Sequence, residues 1–156
     1  MSVPRQSLQQ QLLACFCHIV GVMVAIFFPA NAFVTYALAR VLKQGSFAKQ
    51  HAEQAADFNL SFTVYVLGGL LAYSILALGV DDLAQVMIPG ITSAEVEALT
   101  KKIAQGALGV VTAIYLTLVV IASIKALLGR DHRYPLSLGW YRRMEKALGA
   151  KHANTL

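Results

Sequence analysis

Three stretches of this 156-residue chain carry no Asp, Glu, Lys or Arg: 34 residues between Arg5 and Arg40, 23 between Asp57 and Asp81, and 22 between Lys102 and Lys125. A helix crosses the hydrocarbon core of a bilayer with about 20 apolar residues, and a charge at its centre costs about 2.5–3.5 kcal/mol. Windows cleared of charge over that length are the mark of membrane insertion. Few water-soluble cores require three. The composition agrees: 13% of residues are charged, against roughly 25% in soluble domains. The length leaves room for one small helical bundle and no second domain. The net charge of +5 does not point to nucleic acid, because the basic residues flank the apolar runs and form no aromatic-interleaved patch.

The first uncharged run is too long for one crossing, since 34 residues at 1.5 Å each reach about 50 Å against a core of roughly 30 Å. Pro29-Ala30-Asn31 breaks it, because proline lacks the amide proton and disfavours helix just before it. The fold expected is all-α: a four-helix transmembrane bundle with helices over residues 8–28, 32–42, 58–79 and 108–128. The short second helix either spans by snorkelling Arg40 and Lys43 or fails to span, and the third is extended at its start by the amphipathic stretch Lys49 to Asp57. Residues 1–7 form an N-terminal segment, 81–106 an outer segment, and 129–156 a basic tail, with Gly129 capping the fourth helix. Thr92-Ser93-Ala94-Glu95 places a capping residue before an amphipathic stretch within the outer segment.

If all four helices cross, Arg5, Arg40, Lys43, Lys49, Lys125, Arg130, Arg133, Arg142, Arg143, Lys146 and Lys151 share one side, eleven of the thirteen basic residues. Lys101 and Lys102 lie opposite. The positive-inside rule makes the first side cytoplasmic. The expected location is the bacterial inner membrane, multi-pass, with both termini inside. A competing reading treats Arg5, the apolar run from Leu12 and Ala30-Asn31-Ala32 as a secretory signal cut before Phe33. The long apolar run and single basic residue argue against it, so a retained N-terminus is expected.

Several strings carry a family resemblance: Cys17-His18-Ile19-Val20-Gly21, Pro29-Ala30-Asn31, His51-Ala52-Glu53-Gln54-Ala55-Ala56-Asp57-Phe58-Asn59, and Arg133-Tyr134-Pro135-Leu136. Together they resemble the bacterial small-membrane-protein family similar to the chloroplast import component Tic twenty, over roughly Leu12 to Leu138. The resemblance implies four helices, a retained N-terminus and a scaffold or channel-constituent role without assigned chemistry. The long outer segment and Asp57 depart from that pattern.

Read physically, His51, Ala55, Asn59 and Phe62 recur at helical spacing and share a face, with Ala55 permitting close helix approach. Asn59 enters apolar surroundings, where an amide requires a partner. His18, strongly polar within the first helix, is the expected one. With Asn31 and His51 these residues make a candidate interhelical polar network. Its plainest role is to fasten helices together. A proton, ion or substrate path is the functional alternative, and haem ligation by His18 with His51 is disfavoured for want of a second shell. Cys15 and Cys17 are expected as buried thiols. Arg133, Tyr134, Arg142, Arg143 and Lys146 form a candidate surface for lipid or partner docking, with Tyr134, Trp140 and Tyr141 at headgroup level.

No Ser-His-Asp, Cys-His or paired-carboxylate arrangement appears, so an enzyme is not expected, and neither a cofactor nor a metal is. The reading is a membrane scaffold or accessory subunit whose partners are lipids and a membrane protein or a second copy. The alternative is a small oligomeric channel or carrier using the His18 and Asn59 region.

Overall fold

The computed structural model describes residues 6–24 and 30–153. Arg5, the expected end of the first helix at Phe28 and the break at Pro29 lie outside them. Among the described residues there are helices and no strands: α1 (Leu8–Met23), α2 (Ala30–Val41), α3 (Phe47–Ala77), α4 (Val80–Met87), α5 (Ser93–Leu127) and α6 (Trp140–Ala153). All-helical structure matches the expectation. The four-spanning bundle does not, because among the described residues only α3 and α5 are long and apolar enough to cross a membrane. At 16 and 12 residues, α1 and α2 reach only about 24 and 18 Å.

The third helix begins at Phe47 and includes the amphipathic stretch Lys49 to Asp57 ahead of the charge-free window. The fourth begins at Ser93 instead of Leu108, so much of the outer segment is helix. Charged residues are no obstacle there: Lys101 meets Glu97 at 2.6 Å across one turn of an exposed surface, a spacing that supports helix.

The chain divides into two compact units, one of residues 1–64 and 116–156, the other of 65–115. The second unit holds the end of α3, α4 and the start of α5. Thr92 and Glu95 close a reciprocal capping box at the start of α5, with Glu95 Oε2 accepting from Thr92 N at 2.9 Å and Thr92 Oγ1 accepting from Glu95 N at 3.3 Å. The sequence had placed this cap. Its apolar side chains face outward: Leu71, Leu76, Leu78 and Val110 are 64%, 67%, 88% and 61% exposed. Apolar surface over helices this long is matched to hydrocarbon and not to water.

The first unit carries the core. Ser7 caps α1, its side chain accepting from Gln10 N, and Ser46 caps α3, accepting from Lys49 N at 3.1 Å. Gln10 Oε1 reaches across from α1 to accept Ala48 N at 3.2 Å, so a second free amide of α3 is satisfied. α5 ends as expected at Gly129, whose φ of 66° is left-handed. Arg130 N donates to Lys125 O at 2.9 Å, the long-range bond of a Schellman ending. α1 buries Ala14, Cys17, His18 and Gly21, one face at three- and four-residue spacing. α2 turns Asn31, Thr35 and Ala39 inward the same way. Cys15 and Cys17 are free and buried.

Candidate functional site

The interior of the first unit is polar to an unusual degree, with His18, Asn31, Lys49, His51, Asp57, Asn59 and Ser61 each no more than 2% exposed. Five of these belong to α3, where the string from Lys49 to Ser61 presents a polar side chain at nearly every turn. Each reaches another element.

His51 Nδ1 bonds His18 Nε2 at 2.8 Å, and His18 Nδ1 bonds the Tyr134 hydroxyl at 3.0 Å. Tyr134 stacks on Phe58 with ring centres 3.9 Å apart and planes within 5°. One step along α3, Asn59 Oδ1 accepts from Asn31 Nδ2 at 3.3 Å while its Nδ2 donates to the Ala55 carbonyl at 2.9 Å. The expected pairing of His18 with Asn59 is therefore replaced by two pairs. Both ring nitrogens of His18 are already bonded, and each accommodates one hydrogen bond. Two nitrogens 2.8 Å apart leave no room for a porphyrin between them, so the haem alternative does not fit. Among the described residues no three His, Cys, Asp or Glu side chains are placed to hold a metal ion.

α1 makes room for Asn59 with a glycine. A Cβ on Gly21 would stand 2.6 Å from Asn59 Nδ2 and 3.0 Å from Oδ1, and the amide is pinned at both ends. Gly21→Ala should therefore destabilise the unit by about 1–3 kcal/mol, the usual cost of overpacking. Adding Asn59→Ala should recover part of that loss in a thermal unfolding measurement. A double variant no more stable than Gly21→Ala alone would show that Asn59 is not what Gly21 accommodates.

A second pair of side chains from α3 fastens the chain's other helices. Asp57 Oδ1 accepts the amide of Tyr141 in the first turn of α6, and Oδ2 lies 3.4 Å from Arg142 Nε. A carboxylate at a helix N-terminus satisfies free amides and complements the dipole. Lys49 Nζ donates to the carbonyl of Ala39 in the last turn of α2, where a cation is favourable for the converse reason. It also reaches the Tyr141 hydroxyl at 3.4 Å and Glu53 at 3.6 Å. Ser61 Oγ accepts from Leu138 N at 2.9 Å, tying down the segment before α6.

The docking residues divide. Tyr134 and Tyr141, expected at headgroup level, are 5% and 1% exposed, because each hydroxyl has a buried partner on α1 or α3. Arg142 is half in the cluster through Asp57. Arg133, Arg143 and Lys146 are exposed as expected. Asp57, Lys49 and Ser61 went unselected in the sequence, since a charge beside an apolar run reads as a boundary. Their signal was spacing: Lys49, Glu53, Asp57 and Ser61 recur every fourth residue. His132, between α5 and α6, is 6% exposed, and burial pushes its imidazole below the ordinary value, with Lys125 adding to this.

No curated protein and no solved structure matches the chain, and the expected likeness to Tic twenty gains no support. A family model does match, over residues 9–141, which takes in α1 to α5 and both aromatic anchors, Tyr134 and Tyr141. By that match the chain belongs to the MamF/MmsF family, the magnetosome magnetite crystal formation proteins.

Proposed function

We propose that this chain is an integral, non-catalytic scaffold or accessory subunit of the magnetosome membrane, contributing to magnetite crystal formation as its family's description implies. The observation that carries this reading is the use of the polar side chains of α3: His51, Asn59, Asp57, Lys49 and Ser61 each reach another element of the chain. A cluster committed to helix fastening is the signature of a structural part. Crosslinking in native membranes followed by copurification tests it, and a stoichiometric partner protein is the expected result.

A small conductor is the second reading. It is favoured by His51 Nε2 and both ring nitrogens of His132, which are buried without a hydrogen-bond partner; the Arg130 backbone lies beside the His51 ring without a well-formed bond. Reconstituted chain that passes ions, with the flux lost in His18→Leu and no partner recovered from membranes, favours this reading over the scaffold.

Topology follows the positive-inside rule with two crossings as readily as with four. If α3 and α5 are the spans, the segments before Phe47 and after Leu127 share a side and hold nine basic residues, with Lys49 and Lys125 at the adjoining helix ends, while the turn between the spans holds none and Lys101 and Lys102 lie toward it. A reporter fused after Leu156 should behave as cytoplasmic, and one inserted in the turn before Ser93 as exterior. The reverse pattern overturns the assignment.

A further inference from the structure

α6 is held in one rotational setting. Tyr141 is 1% exposed, its amide is bonded to Asp57, and the neighbouring Arg142 is tethered to the same carboxylate. With Tyr141 turned inward and the exposed Arg142 held to one side by Asp57, Trp140, Arg143 and Lys146 face outward at three-residue spacing, the Arg143 guanidinium carbon 6.0 Å from the centre of the Trp140 ring. Trp140 is 39% exposed although nothing in its chemistry favours open water. The segment leading to it follows directly on the apolar end of α5, and combines exposed Leu128 and Leu136 with exposed Arg130 and Arg133.

We infer that this outward face of α6 docks on an anionic lipid headgroup surface. Arg143 and Lys146 bind phosphate, and Trp140 seats at the boundary between headgroup and acyl chain. The mixture argues for lipid over an acidic protein: cations beside exposed leucine and tryptophan, immediately after a hydrophobic span, match the polar and apolar layers that a bilayer surface presents together. The inference rests on the membrane-embedded reading of α5. It also divides the basic residues by role. Arg142 serves Asp57 and the fold, while Arg143 and Lys146 serve the lipid.

Trp140 is the single tryptophan of the chain, so its fluorescence reports on this face alone. Full-length protein in discs of phosphatidylcholine is compared with protein in discs that also contain phosphatidylglycerol. The anionic lipid should shift Trp140 emission to the blue and protect it from a soluble quencher, and molar salt, which shortens the screening length to about 3 Å, should reverse both. Each basic residue removed costs roughly fivefold in affinity for an anionic surface, so Arg143→Gln with Lys146→Gln should lose the response at the same lipid fraction. The double variant should keep the parent's thermal unfolding in phosphatidylcholine. If it does not, Lys146→Gln alone, with a smaller loss, carries the test.

Emission indifferent to phosphatidylglycerol, or a response that survives in the variants, overturns the docking. Soluble polyglutamate added to phosphatidylcholine discs is the third arm: protection by polyglutamate and not by phosphatidylglycerol assigns the face to a protein instead. A chain that fails to enter discs overturns the membrane reading and the docking with it, whereas one that enters with Trp140 silent overturns the docking alone.

Discussion

Replacing His18 with leucine is expected to destabilise the first unit by about 2–6 kcal/mol, a large share of what holds a small domain together. The imidazole joins Tyr134 on one side to His51 on the other. Leucine fills similar space and offers neither bond, so a buried hydroxyl and a buried ring nitrogen lose their partner at about 1–3 kcal/mol each. Denaturation in detergent reads the loss. The source is checked by a pair of double-substitution cycles. His18→Leu with His51→Leu should be non-additive by about 0.5–3 kcal/mol, because the second substitution removes one of the groups the first had orphaned. His18→Leu combined with Asn59→Leu should show the smaller coupling. The opposite order would mean that His18 lies against Asn59 after all.

Asp57→Ala is expected to free α6. The carboxylate holds the Tyr141 amide and the Arg142 guanidinium, and a charge-assisted bond of this kind contributes about 1.5–3 kcal/mol. Amide hydrogen exchange should therefore accelerate across Trp140–Ala153 while α5 keeps its protection. Asp57→Asn retains an acceptor oxygen for the Tyr141 amide but gives up the negative charge at the helix N-terminus, so its effect should be intermediate. Unchanged exchange in α6 of the alanine variant would assign the attachment to the Tyr141 ring, which meets Tyr36 with centres 5.4 Å apart, and to its hydroxyl.

The sequence made the apolar parts of α3 and α5 legible because insertion imposes a rule on composition, and both lie within windows it predicted. The same rule misled at the edges. Asp57 was taken as the charged end of a helical extension before the span, yet ten residues inside α3 it is buried; a charge can stand there because α6 brings amides to it. Lys101 and Lys102 marked residues 81–106 as a segment between spans, though exposed charges at helical spacing continue α5 through it. Of the polar network, His18, Asn31, His51 and Asn59 were all named, and all four are buried together in the first unit. What spacing along one helix could not give was the partner across the gap. His18 and Tyr134 are 116 positions apart, and a tyrosine before a proline, next to arginines, carries the local pattern of a membrane-surface anchor. α6 was missed for a related reason, since its first turn is stabilised by a residue from α3 and not by a cap of its own.

The span of those contacts bears on how the chain comes into being. The bonds that complete the polar cluster join residues 77, 84, 85, 92 and 116 positions apart, and one partner in each leaves the ribosome well after the other. At about 5–20 residues per second, α1, α2 and the polar stretch of α3 wait seconds for Tyr134 and Tyr141 to arrive. During that interval Asp57 lacks the amide and the guanidinium that later satisfy it, and Lys49 and His18 each lack one partner, at the moment when, under the proposed membrane reading, the apolar part of α3 enters the bilayer. Assembly therefore follows insertion, in the two-stage order known for helical membrane proteins. A nascent chain arrested before Tyr134 is accordingly expected to be inserted yet unassembled, and open to membrane proteases that spare the finished molecule.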